Sequence, residues 1–189
     1  CPSAKYFSRT VVTSVAGASN YCLKTQKIEY VSTLAGKTVT LSFYAKANST
    51  KNIAIELLQD FDATNGGSAS VTAISSQLVS LSSTWKRYTI NVNIPSISGK
   101  TIGTLGVDAL CVYFWFDAGS GYATRASNLG QQSGTFDLAC IQLEEGSVAT
   151  PFEELPIEIS QTRVQRYFET TFYEEFPIGS LLASGESTI

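Results

Sequence analysis

The sequence predicts an all-β fold, a sandwich or a barrel. Short runs alternate apolar and polar residues, the period of a strand with one buried face. Gly, Ser and Thr interrupt those runs about every ten residues, the spacing of turns in all-β domains. In "LCVYFWF" (110–116), Leu110, Val112, Phe114 and Phe116 alternate with Cys111, Tyr113 and Trp115. A strand there is apolar on both faces, and something must cover the second one.

The runs follow in order along the chain. "YFSRTVVTSV" (6–15) and "YCLKTQKIEYV" (21–31) read as strands before the "LAGKT" turn. "TVTLSFYAK" (38–46) points Val39, Leu41, Phe43 and Ala45 inward and Thr40, Ser42, Tyr44 and Lys46 outward. "NIAIELLQDF" (52–61) places Ile53, Ile55 and Leu57 on one face. "KRYTINVNIP" (86–95) does the same with Tyr88, Ile90, Val92 and Ile94, and Pro95 ends it, because proline donates nothing to a ladder. "TFDLACIQLEEG" (135–146) closes at Gly146, with Ile141 and Leu143 inward and Cys140 and Gln142 outward. The loops are 46–51, 62–70, 95–103 and 118–134. The last is long for a compact domain, and its Gly and Ser content suggests an exposed end loop, mobile or bound to a partner. After Gly146 the texture changes: 158–168 reads as a short helix and 169 onward as strand-like. The expected organisation is a sandwich over 1–152, a linker with a short helix over 153–168, and the start of a further module over 169–189.

Composition excludes several function classes. The 189 residues are 43% hydrophobic and 15% charged, which suits one sizeable folded domain with an appendage. A net charge of −3 offers no basic face for nucleic acid. No apolar run approaches the ~18 residues of a membrane span, and "CPSAKYFSRT" lacks the apolar core of a signal peptide. The chain opens on Cys1 and contains no Met, so it reads as a piece of a longer polypeptide. With no histidine, Ser-His-Asp and Cys-His catalysis and the commonest zinc ligand are excluded. Cys1, Cys22, Cys111 and Cys140 fit no C-x-x-C spacing and are too sparse for a disulfide scaffold. Buried reduced thiols are expected. Cys111 and Cys140 fall on the inferred outer faces of strands that could be neighbours, so they are expected to lie close but unbonded.

"LAGKTVTLSFYAKANS", "LLQDFD…GG", "LSSTWKRYTINVNIPSISG" and "IQLEEGSVATPFEELPIE…VQRYFE" succeed one another between about residues 20 and 168. In that order they resemble the carbohydrate-binding-module-like jelly-roll domain of bacteriophage tail fibres and tail spikes. The closing "QLEEGSVATPFE" with "QRYF" is the most specific piece. The "GKTVTLSFYAK" strand is shared more broadly with carbohydrate-binding modules attached to glycoside hydrolases. Where many relatives carry Gly after "QDF", this chain has Asp62. The resemblance implies a jelly-roll-type antiparallel β-sandwich in a virion tail, assembled in the host cytoplasm and extracellular after release. It also implies a homotrimer, other tail or fibre proteins as partners, and a host cell-surface glycan as ligand. A carbohydrate-binding accessory module of a secreted glycoside hydrolase and a ligand-free structural spacer are the competing readings.

No catalytic site is expected. Asp60/Asp62, Glu144/Glu145, Glu153/Glu154 and Glu174/Glu175 are the acidic pairs. Adjacent strand residues point to opposite faces and flank a glycosidic bond poorly. No cofactor is expected. Asp60, Asp62 and Asn65 form a calcium candidate, although an Asx-rich turn that binds nothing explains them as well. A second surface is expected to carry Tyr44, Tyr113, Trp115, Cys111, Cys140 and Gln142. It is either covered, by a loop or more readily by other subunits, or open to a glycan. Trp85 is read as packing. In "GSGYATR", Tyr122 lies among glycines as an aromatic platform, and Arg125 could donate several hydrogen bonds to an acidic sugar. A neighbouring loop or subunit is the alternative partner for Tyr122.

Overall fold

Residue 114 lies in the main hydrophobic core. Phe114 belongs to the apolar alternation of 110–116, and it packs edge-on to Phe43 with ring centroids 5.2 Å apart. These two rings come from opposite layers of a two-sheet antiparallel β-sandwich. The structure is a computed structural model and describes residues 6–156 and Ile159. Its strands are β1 (Ser8–Val12), β2 (Tyr21–Glu29), β3 (Thr38–Ala47), β4 (Lys51–Asp60), β5 (Val71–Leu81), β6 (Lys86–Asn93), β7 (Ala109–Ala118) and β8 (Gly134–Glu145). The first sheet runs β1-β8-β3-β6 and the second β2-β7-β4-β5. The chain divides into two units, Cys1–Phe152 and Glu153–Ile189. Among the described residues of the second unit, 153–156 carry no helix. The helix expected at 158–168 (apart from Ile159) and the module expected from 169 lie outside the described residues.

The core is built from the alternation read in the sequence. Val39, Leu41 and Phe43 from β3, Ile53, Ile55 and Leu57 from β4, and Leu110, Val112, Phe114 and Phe116 from β7 meet between the sheets. Ile90, Val92 and Ile94 join them, with Tyr88 packed at the margin. Each fully buried side chain of this size contributes about 1.5–3 kcal/mol.

Three expectations change. The segment 71–81, assigned no strand from sequence, is β5. Its alternation is broken because Ala73 and Ser75 adopt positive φ (57° and 49°), and the register with β4 shifts there. Cys111 and Cys140 do not meet: β7 and β8 belong to opposite sheets, and Cys140 sits at φ 50° in the β8 bulge. For the same reason the single second surface splits in two. Tyr44 and Gln142 belong to the first sheet, whereas Cys111, Tyr113 and Trp115 belong to the second.

Candidate functional site

The outer face of the second sheet is organised by one carboxylate. β4 sets Glu56 opposite Tyr113 of β7, beside Trp115. Glu56 is fully buried. Four donors satisfy it: Trp115 Nε1 at 3.0 Å, Arg125 Nε at 2.8 Å, Arg125 Nη2 at 3.1 Å and the Ala73 amide at 2.8 Å. The left-handed turn of Ala73 belongs to the bulge that hid β5 from the sequence reading. Arg125 lies 5.2 Å from the Tyr113 ring centroid and 5.1 Å from that of Trp115. Burial works against its charge, but the hydrogen bonds and attraction of Glu56 prevail, so its proton is held more tightly than usual.

Arg125 belongs to the 118–134 segment, which is fastened at many points. Asp117 accepts the Gln132 amide at 2.6 Å and the Ser14 hydroxyl at 2.9 Å. The Gly119 amide donates to Asn20 O at 2.8 Å, and Ser76 Oγ donates to Arg125 O at 2.6 Å. Tyr122 packs against Tyr21 (4.8 Å) and Trp115 (5.4 Å). Trp115 is 1% exposed as a result. This corrects two expectations. The chain's own loop covers the second face of β7 over Trp115, without needing another subunit. The loop is also no open end loop, since it lies packed across the sheet. Tyr122 and Arg125 come together with Tyr113 and Trp115, as parts of that cover. Cys111 is fully buried beside Leu58 and Ala109, and burial pushes its thiol up.

The first sheet is closed differently. After Gly146 the chain crosses its outer face as a strap. Thr150 Oγ1 donates to Glu144 Oε1 at 2.8 Å, Gln142 Nε2 donates to Glu144 Oε2 at 2.7 Å, and Arg87 donates to Thr150 O. Gln142 Nε2 also reaches Thr150 Oγ1 at 3.1 Å, so this candidate helps hold the strap. Hydrogen bonds from Gln142 and Thr150 hold the Glu144 carboxyl below its usual range.

Beyond the strap, at the end of this face where Tyr44 stays half-buried, lies a group the sequence reading missed. Trp85 is 40% exposed and Phe7 is 48% exposed. Their rings meet edge-to-face at 5.6 Å. Lys46 Nζ lies 5.4 Å from the Trp85 centroid, and the Arg9 guanidinium 5.3 Å from that of Phe7. Beneath them Asp137, 3% exposed, accepts Arg9 Nε at 2.8 Å and Arg9 Nη2 at 3.0 Å, with Lys46 Nζ at 3.7 Å. Trp85 therefore forms part of an aromatic shelf on the surface, where packing was expected. The available signal was its place just before β6, next to the register pair Ala45–Lys86, which carries it to the rim of the sheet.

The calcium candidates serve a turn. Asp60 Oδ1 accepts the Asp62 backbone amide at 3.1 Å, and Asp62 Oδ1 accepts from the Asn65 side-chain Nδ2 and the Thr64 hydroxyl. Asp62 sits at φ 59°, in the left-handed region that favours Gly. Among the described residues no group of three or more His, Cys, Asp or Glu side chains is arranged to hold a metal. Glu145 pairs with Lys37 at 2.6 Å, away from its neighbour Glu144. An apolar groove of about 620 Å³ opens between the sheets near Ile28, Leu34, Ile141 and Leu143.

No family model matches the chain, and no curated protein matches it. Among solved structures it is similar to one described as "CBM4 structure and function", at 18% identity over 76% of this chain and 73% of that one, with a TM-score of 0.51. The family 11 carbohydrate-binding module from Clostridium thermocellum, in complex with a β-1,3-1,4-mixed-linked tetrasaccharide, matches at 15% identity over 77% of this chain and 85% of that one, with a TM-score of 0.43. The enzymatically active domain of bacteriophage CBA120 tailspike protein 4 matches at 14% identity over 74% of this chain and 19% of that one, with a TM-score of 0.40. The first likeness shows a carbohydrate-binding-module-like sandwich. The other two are too distant to add to that assignment.

Proposed function

We propose that this chain is a non-catalytic glycan-attachment module of a phage tail fibre or spike, working within a trimer. The observation that carries the reading is the Phe7–Trp85 shelf. Two large rings stay partly exposed at the rim of the first sheet, beside cations paired with a buried carboxylate. An aromatic face accepts the C–H surface of a pyranose, and flanking charged groups bond its hydroxyls. What supports the tail location is the ordered run of motifs ending in "QLEEGSVATPFE…QRYF". Fold likeness alone does not assign a ligand.

One observation favours the spacer reading. Trp115, Tyr122 and Arg125, the residues best suited by type to bind a sugar, are engaged inside the molecule. A glycan array read together with a light-scattering mass separates the attachment, spacer and accessory-module readings. The proposal expects glycan binding by a chain of three copies. A trimer that binds no glycan establishes the spacer, and a monomer that binds one establishes the accessory module.

A further inference from the structure

We infer that the sugar taken by the Phe7–Trp85 shelf is acidic, with its carboxylate received by Lys46. This rests on the glycan-attachment reading and names the ligand class of that same site. The inference comes from a count of charges. Arg9 and Lys46 flank the two rings, and among the described residues only Asp137 lies within ion-pair distance of either. Two cations share one carboxylate, so one positive charge is left over on a chain whose net charge is −3.

The geometry assigns that charge to Lys46. Arg9 engages Asp137 through two parallel hydrogen bonds of 2.8 and 3.0 Å, the strong fork arrangement. Lys46 stands off at 3.7 Å, with its side chain 30% exposed, and has donors to spare. Its ammonium lies over the Trp85 ring, 5.4 Å from the centroid, so a carboxylate bound to it brings its sugar against the exposed part of the indole. Asp137, buried and held by Arg9, fixes both cations without reaching the ligand. A neutral sugar would gain the stacking and leave the ammonium sharing Asp137 with Arg9. An acidic sugar uses both.

The chain supplies its own reporter. Trp85 and Trp115 are its two tryptophans, and Trp115 is sealed beneath the 118–134 loop, so ligand-dependent protection from acrylamide quenching reads Trp85. The intact chain is titrated with tetragalacturonate and, separately, with neutral galactotetraose. The expected result is protection by the acidic oligomer, weakened by added salt, with little response to the neutral one. Trp85→Ala should weaken binding of the acidic oligomer about tenfold or more, measured by calorimetry. Lys46→Gln should weaken it about threefold to fivefold while leaving the neutral oligomer unaffected.

Equal binding of both oligomers, unchanged by Lys46→Gln, overturns the acidic assignment and leaves the glycan reading standing. Binding that survives Trp85→Ala with Trp85 unprotected overturns the site. No binding of either oligomer, on a glycan array that also stays blank, overturns the glycan reading itself. A Trp85→Ala chain whose light-scattering mass falls makes the shelf a contact between copies, which also overturns the inference.

Discussion

Removing the Arg125 side chain should unfasten the loop that covers Trp115. In Arg125→Ala, Glu56 keeps the Trp115 indole and the Ala73 amide but loses its cation inside a fully buried site. Breaking a buried ion pair from one side costs about 3–5 kcal/mol. Arg125 is itself 28% exposed, and that solvent screening, with the two remaining donors, puts the expected loss at the lower end, about 3 kcal/mol. The loss is read as a shift of the urea midpoint at constant slope. In a Trp85→Phe background the fluorescence comes from Trp115 alone, and its red shift reports opening of the cover. Glu56→Gln combined with Arg125→Met removes both charges at similar volume, and should recover most of the loss. Arg125→Ala within about 0.5 kcal/mol of the parent, the range of an ordinary surface change, would refute the reasoning.

Cys111 should resist alkylation in the folded chain near pH 8 and react fully in denaturant, since burial removes access and pushes its thiol up; peptide mapping checks this, and rapid native labelling would contradict it. The Glu144 carboxyl is held below its usual value, so its support for the strap is present above the ordinary glutamate pKa and is lost as pH falls through the lowered, folded one. The Thr150 amide signal should therefore titrate with a midpoint below that of an ordinary glutamate, and a midpoint at or above the ordinary value would dismiss the contact. Gly119→Ala should lower stability by about 1–3 kcal/mol in a thermal melt. A Cβ there would stand 2.2 Å from Gly17 O and 2.5 Å from Ala18 O, backbone atoms with no easy retreat.

The layers were legible where strands keep a strict period of two. β3, β4, β6 and β7 present to the core the side chains their alternation assigns. β5 was hidden because positive φ at Ala73 and Ser75 breaks that period, and the Cys140 bulge interrupts β8 in the same way. Alternation also says which residues share a strand face without saying which strands share a sheet. Tyr44 and Trp115 were therefore placed on one surface although opposite sheets carry them. Glu56 escaped notice as an acid at an ordinary outward position of a strand. Only the tertiary pairing that brings Trp115, Arg125 and Ala73 to it reveals its role. Trp85 was taken as packing because it precedes an alternating strand and sits in a Trp position of the resembled motif. Here its ring turns to the rim of the outer face, where Phe7 and Lys46 meet it.

The glycan-attachment claim is tested most directly by the two indole N–H signals in an ¹⁵N-correlated spectrum of the intact chain. They are followed while the saccharide selected by a glycan array is added. The account predicts that the Trp85 signal moves with saturable dependence on saccharide, and that the Trp115 signal, bonded to Glu56 beneath the loop, stays in place. A stationary Trp85 signal at saturating saccharide would contradict it.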